Sequence, residues 1–152
     1  MIYTLNTNVL VYAADASFPL HSVARDVRDR AAAEPRKARL FYSVLLEFLA
    51  VVTDSRRVGN PLPPAEAWRE VEAYLSVFEV LYPDEGTFAQ LGKLADRYQI
   101  TRQTIFDALI VAMMIQHGVQ GIYTDNRKDS ARFDEIEVLP WPSVDTKTSI
   151  EI

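Results

Sequence analysis

Cysteine is absent from the 152 residues. That excludes disulfides, thiolate zinc sites and a cysteine nucleophile, and it leaves oxygen ligands as the metal chemistry open to the chain. A reducing cytoplasm is the expected compartment. The start, MIYTLNTN, lacks the basic stretch, long apolar run and small-residue cleavage site of a signal peptide, and the later apolar run ending in MMI is broken at once by Gln116 and His117. A soluble, unexported protein that does not engage a membrane is expected. Positive charge is in short supply: the formal net charge is -5, which argues against a nucleic-acid packaging protein. It does not argue against a nuclease, because carboxylates crowded around a metal lower the total. Two basic stretches, Arg25, Arg28 and Arg30 and then Arg127, Lys128 and Arg132, are open to phosphates, though such stretches are more often solvated helix faces. The chain also lacks repeats, heptads and low-complexity tracts. What it has is apolar content, 49% of all residues, enough for one domain around one core.

Ile2 to Leu5 reads as a short buried strand, and Val9 to Ala14 resumes as a helix after the polar break at Asn6 to Asn8. Val23, Val27 and Ala31 stand at helical spacing between Pro19 and Pro35. Arg39 to Tyr42 is expected as a brief strand leading into a helix that Ser43 caps and that carries Leu45, Leu46, Glu47, Leu49 and Val52. Past the NPLPP loop, Trp68, Val71 and Leu75 mark the inner face of the next helix. A strand over Phe78 to Leu81 and a helix opened by Pro83 and Asp84 follow, the latter burying Phe88, Leu91, Leu94, Ala95 and Tyr98. A further helix runs from Thr104 to about His117 and stops at Gly118. Gly121 to Thr124 and Ile136 to Leu139 complete the strands. Short strands alternating with longer helices imply right-handed crossovers and a mainly parallel sheet covered on both faces. The expected fold is therefore α/β, an α/β/α sandwich over residues 1–142, with 143–152 as a polar C-terminal tail.

Four polar positions stand at the edges of these apolar segments: Asn6 after MIYTL, Glu47 within SVLLEFLAVV, Asp107 opening DALIVAMMI, and Asp125 after GIYT. Parallel sheets gather ligands at the carboxyl ends of their strands, so these positions converge despite their separation in sequence. Converging carboxylates repel one another unless a cation sits among them. Each position also has a plain structural account. Asn6 to Asn8 suits an Asx turn, Thr104 to Asp107 suits a capping box, and Asp125, Asn126 and Asp129 suit a polar loop. Glu47 is set among Leu45, Leu46, Phe48 and Leu49, so its charge faces or borders the core. Asp134 and Glu135 read as plain surface.

The four motifs in this order resemble the PIN-domain family, specifically the VapC-type ribonuclease toxins of bacterial toxin-antitoxin pairs. The matching segments are YTLNTNVLVYA, SVLLEFLAVV, FDALIVAMMIQHG and IYTDNRKDSARF leading to VLPWP, covering Met1 to about Pro142. The resemblance implies a metal-dependent endoribonuclease in which Glu47, Asp107 and Asp125, with Asn6 where the family carries Asp, hold Mg²⁺ or Mn²⁺ ions that activate a water. Asp129 joins Asp125 as a candidate catalytic carboxylate, and the choice among Asp125, Asn126 and Asp129 for the metal stays open. Thr7, Asn8, Thr124 and Asn126 are expected to fix the ligands by hydrogen bonds. His21 and His117 stand outside the set. The resemblance further implies an RNA substrate, a cognate antitoxin protein covering the cleft and a homodimer. Phe41, Tyr42, Leu45, Phe48 and Leu49 offer an apolar surface for the antitoxin's helix or, equally, part of the core.

Asn6 departs from the family pattern. Its amide offers one neutral oxygen where a metal expects a carboxylate, so weakened activity is expected, from an engineered exchange or a natural member; the intact remaining carboxylates favour the exchange. The alternative function is a catalytically degraded PIN-like module that binds RNA or protein. The opening also faintly resembles that of haloacid-dehalogenase-type phosphatases, which requires a nucleophilic Asp at the place of Asn6 and a supporting Lys.

Overall fold

β1 (Tyr3–Leu5) is buried along its whole length and forms the centre of the sheet. β2 (Ala38–Phe41) pairs on one side of it and β4 (Gly121–Tyr123) on the other, with β3 (Glu79–Leu81) beyond β2 and β5 (Glu137–Val138) beyond β4. The order is thus β3-β2-β1-β4-β5, and every pairing is parallel. Unbroken apolar runs are what strands covered on both faces require. The helices that cover them are α1 (Thr7–Ala14), α2 (His21–Ala33), α3 (Tyr42–Val52), α4 (Pro64–Val77), α5 (Glu85–Tyr98), α6 (Thr104–His117) and the short α7 (Arg127–Ala131). This computed structural model describes residues 1–142, and the polar tail expected at 143–152 lies outside the described residues. The expected α/β class, parallel sheet and flanking helices are all present.

The chain moves outward from β1 through β2 to β3, then returns across the sheet to β4 and β5. The strand order therefore reverses between β1 and β4, and a crevice opens there at the carboxyl ends. The core fills in around it: Leu5, Leu10, Leu40, Phe41, Phe48, Met113 and Ile122 are all at most 1% exposed. A smaller cluster of Leu94, Ala108, Val111, Ala112 and Phe133 lies under α5 and α6. α6 is apolar nearly all round because Met113 and Met114 join the main core while Ala108, Val111 and Ala112 join the smaller one. It ends at Gly118, whose φ of 69° is the left-handed cap that glycine adopts freely.

Four local expectations are corrected. α3 begins at Tyr42, so Ser43 lies inside the helix and does not cap it; its hydroxyl is buried without a partner. Asp107 forms no capping box, because the helix starts after Gln103 and no side chain caps it. On α4 the buried stripe is Ala67, Val71 and Tyr74, with Trp68 and Leu75 exposed. Both stripes share Val71 and both have helical spacing, so only the packing partner separates them. On α5, Phe88 is 80% exposed and Thr87 is buried instead. The reason is the helix start: Asp84 N–H donates to Thr87 Oγ1 at 2.8 Å, while Gly86 N–H donates to Asp84 Oδ1 at 2.8 Å. That reciprocal cap fixes Thr87 inward and turns its neighbour out.

Candidate active site

The first turn of α1 ties together the segments that follow β1, β2 and β4. Thr7 N–H donates to Asn6 Oδ1 at 2.8 Å, so Asn6 caps the helix that begins after it. The Asn6 amide Nδ2 donates to Thr124 Oγ1 at 3.1 Å and joins the two sides of the switch point. Thr7 turns toward α3, its hydroxyl donating to Glu47 Oε1 at 2.5 Å. Asn8 holds the loop after β4: its Nδ2 donates to Thr124 Oγ1 at 3.2 Å, and its Oδ1 accepts from Asp125 N–H at 3.0 Å. Asn126 N–H reaches the same Thr124 hydroxyl at 3.0 Å.

Thr124 Oγ1 is thereby over-supplied with donors. Three N–H groups face a fully buried hydroxyl oxygen with two lone pairs. Its own proton finds no acceptor among the described residues. A carboxylate at position 6 would remove one donor and give that proton an acceptor, so the surroundings suit Asp at least as well as the Asn they hold.

Asn6, Thr7, Asn8, Glu47, Asp107 and Asn126 line one open cleft of about 710 Å³. Asp107 is half-buried there, and its carboxyl is held above the usual range: burial is the largest cause, the charges of Asp129 and Glu47 add to it, and Arg132 opposes it. Neither Glu47 nor Asp107 forms an ion pair among the described residues. Mutually repelling, unpaired carboxylates are a donor set that a hard divalent cation satisfies. Among the described residues no three acidic or histidine side chains are grouped closely enough to hold an ion, so the expected trio of Glu47, Asp107 and Asp125 is not gathered into one cluster. The set that remains, two carboxylates and an amide oxygen, fits Mg²⁺ or Mn²⁺ with one negative charge fewer than Asp would give.

The other expected residues are distributed less evenly. Asp125 does not line the cleft; its carboxylate accepts from Tyr12 Oη at 2.7 Å. Burial first, and then this bond, push the Tyr12 hydroxyl up to about 12. Asp129 sits on α7, where its charge reaches Asp107. His21 Nδ1 donates to the Tyr12 carbonyl at 2.7 Å, and His117 Nε2 lies 3.3 Å from the Tyr82 carbonyl; neither ring lines the cleft. Glu47 proves exposed at the cleft rather than set against the core. Of the two readings open for Phe41, Tyr42, Leu45, Phe48 and Leu49, the core takes Phe41, Leu45 and Phe48, with Leu49 packed against it, and Tyr42 projects, 41% exposed. Ser43, expected only as a helix cap, also lines the cleft, as do Tyr12, Arg57 and Gln103, for which no role was expected. Tyr12 follows Asn8 by one helical turn, and that spacing was the available signal.

The PIN domain family model matches residues 3–137. The chain belongs to the PIN-domain family. Its relatives within that family are of the VapC type. It is 31% identical over 140 residues to "Ribonuclease VapC48" of Mycobacterium tuberculosis, covering 91% of this chain and 96% of that one. It is 30% identical over 131 residues to "Ribonuclease VapC43" of the same organism, covering 85% and 88%. In fold it is similar to VapBC2 from Rickettsia felis bound to a promoter DNA fragment, with a TM-score of 0.66 at 20% identity over 93% of this chain and 99% of that one. VapC20 of Mycobacterium tuberculosis, described as a Sarcin-Ricin loop cleaving toxin, gives a TM-score of 0.64 at 22% identity over 88% and 98%. At such identities the structural likeness concerns the PIN fold itself. Among the described residues no helix is long and apolar enough to cross a membrane.

Proposed function

We propose that this chain is a metal-dependent endoribonuclease, the toxin of a toxin-antitoxin pair, with its activity lowered by Asn6. The observation that carries this reading is the meeting of Glu47 and Asp107 beside Asn6 in one cleft, with Asp107 disfavoured as an anion by burial first and by like charge second, and neither carboxylate neutralised by a salt bridge among the described residues. The ribonuclease names of its relatives point the same way. Glu47 and Asp107 would hold Mg²⁺ or Mn²⁺, with Asn6 Oδ1 as a weaker third donor. On the β4 side, Asp129 is the better supported of the remaining carboxylates, since its charge acts on Asp107 while Tyr12 occupies Asp125. When bound, such an ion supplies an acidified water and positive charge beside the scissile phosphate. The chain's own residues fix the geometry: Thr7 orients Glu47, and Asn8 and Thr124 hold the loop after β4. Neither His21 nor His117 lines the cleft, so the bases it offers are the carboxylates of Glu47 and Asp107.

Membership of this family supports a cognate antitoxin and a homodimer as partners, and a cytoplasmic location. Light scattering on the purified chain is expected to give twice the mass of one chain. Function is tested by RNA cleavage in Mg²⁺ and in Mn²⁺ by this chain and by its Asn6→Asp variant. The variant is expected to cut faster by about tenfold or more, and Asp107→Asn within it to abolish cleavage. A folded Asn6→Asp variant that cuts nothing across a broad RNA panel would favour a PIN-like binding module instead.

A further inference from the structure

The basic stretches legible in the sequence do not line the cleft, although the charge of Arg132 reaches Asp107. Arg28 pairs with Asp29 on α2, Arg127 donates to the Leu139 carbonyl and Arg132 to the Tyr98 carbonyl. Among the described residues, the basic side chain that lines the cleft is Arg57, from the loop between α3 and α4. It is exposed, and among the described residues it makes no salt bridge and no side-chain hydrogen bond. Its neighbour Arg56 is engaged, its Nε 3.2 Å from Asp54 Oδ1. Two adjacent arginines on one turn thus differ in commitment, and the uncommitted one faces the carboxylates' cleft.

The backbone beneath Arg57 is held on both sides. Arg57 N–H donates to the Asp54 carbonyl at 2.9 Å, Val58 is buried, Asn60 is bonded twice to the Asp15 carboxylate, and Leu62 N–H donates to the Val52 carbonyl at 2.8 Å. A long cation on so fixed a base loses little backbone entropy on engaging a ligand. It also stands beyond the far end of α3: Ser43, Glu47 and Val51 follow one another by single turns along the cleft wall, and Arg57 comes after them. Glu47 and Arg57 thus line the same cleft.

Resting on the ribonuclease reading, we infer that Arg57 binds a backbone phosphate adjacent to the one that is cut. In a chain of net charge -5, an RNA strand spanning the cleft gains from a cation beyond the metal that the carboxylates would hold, and the guanidinium fork matches a phosphate's paired oxygens. Arg57 is a substrate-binding residue that sets the strand's register and takes no part in proton transfer.

The test is the affinity of a labelled single-stranded oligouridylate for the chain in Mg²⁺ over a salt series, with Arg57→Ala, Arg57→Lys and Arg56→Ala compared. Arg57→Ala is expected to weaken binding roughly fivefold and to flatten the logarithmic salt dependence by about 0.7, the contribution of one single-strand phosphate contact. Arg57→Lys restores the salt dependence and most of the affinity, and Arg56→Ala changes neither. In the Asn6→Asp background, Arg57→Ala raises KM and leaves kcat. Unchanged affinity and KM in Arg57→Ala, with cleavage by Asn6→Asp still abolished by Asp107→Asn, would overturn the role of Arg57 and leave the ribonuclease reading intact. Absence of RNA binding and cleavage by every form would overturn both.

Discussion

At the scale of single residues, the site is defined by charge that has nowhere to go. Asp107 is held above its ordinary carboxylate range by burial and by Asp129 and Glu47. A carboxyl with a raised native pKa binds protons more tightly folded than unfolded, so it costs stability above that pKa and the cost fades as pH falls toward the unfolded value near about 3.9. Asp107→Asn is therefore expected to raise the metal-free melting temperature at pH 7 by roughly 2–4 °C, with the gain shrinking in acid; a thermal scan over pH measures it. Asn6→Asp is the opposite case. It adds a third carboxylate beside Glu47 and Asp107, so its metal-free form is expected to melt lower than the parent by roughly 2–4 °C. Added Mn²⁺ should raise its melting temperature more than the parent's. Equal metal responses in the two proteins would remove position 6 from the ligand set.

At the scale of elements, the end of α1 and the loop after α3 act as one unit through Asp15. This carboxylate, 3% exposed, accepts from Ser17 N–H at 2.9 Å, from Asn60 N–H at 3.1 Å and from Asn60 Nδ2 at 2.8 Å. Burial opposes its ionisation, yet the bonds from Ser17 and Asn60 prevail and hold it well below the usual carboxylate range. Gly59 fits this clamp because a Cβ there would stand 2.6 Å from Ser17 Oγ. Replacing Asp15 by Ala is expected to cost about 2–4 kcal/mol in urea denaturation at pH 7. Since a depressed pKa contributes stability above the unfolded value and loses it as pH falls below, the difference between parent and variant should narrow under acid conditions. The clamp also carries Arg57, so RNA affinity should fall along with stability in Asp15→Ala.

At the scale of the whole molecule, two unequal apolar clusters meet at α6. The main one packs the sheet against α1, α2 and α3; the smaller joins Leu94, Phe133 and one face of α6. Asp107 stands on the helix they share. Small clusters open at lower free energy than large ones. Native-state hydrogen exchange is accordingly expected to show α5 and α7 exchanging ahead of β1, β4 and α1, with α6 intermediate. Uniform protection across all of these elements would mean a single cooperative core.

The sequence by itself determined the alternation of strands and helices, the parallel sheet and six positions of the cleft, Asn6, Thr7, Asn8, Glu47, Asp107 and Asn126. Apolar runs can be buried on two faces only in such a sheet, and residues following its strands must share one edge. It left undetermined what depends on rotation about a helix axis and on contacts between distant segments. Val71 serves two equally good stripes on α4, and the cap at Asp84 turned Phe88 outward where periodicity put it in the core. Asp125 and Asp129 look alike in sequence, but Tyr12 from α1 engages the first while the fold brings the second's charge to Asp107. Arg57 carries no local signal at all. Its place in the cleft was decided by Asp15, forty-two positions earlier, through bonds to Asn60 that only the folded chain can make.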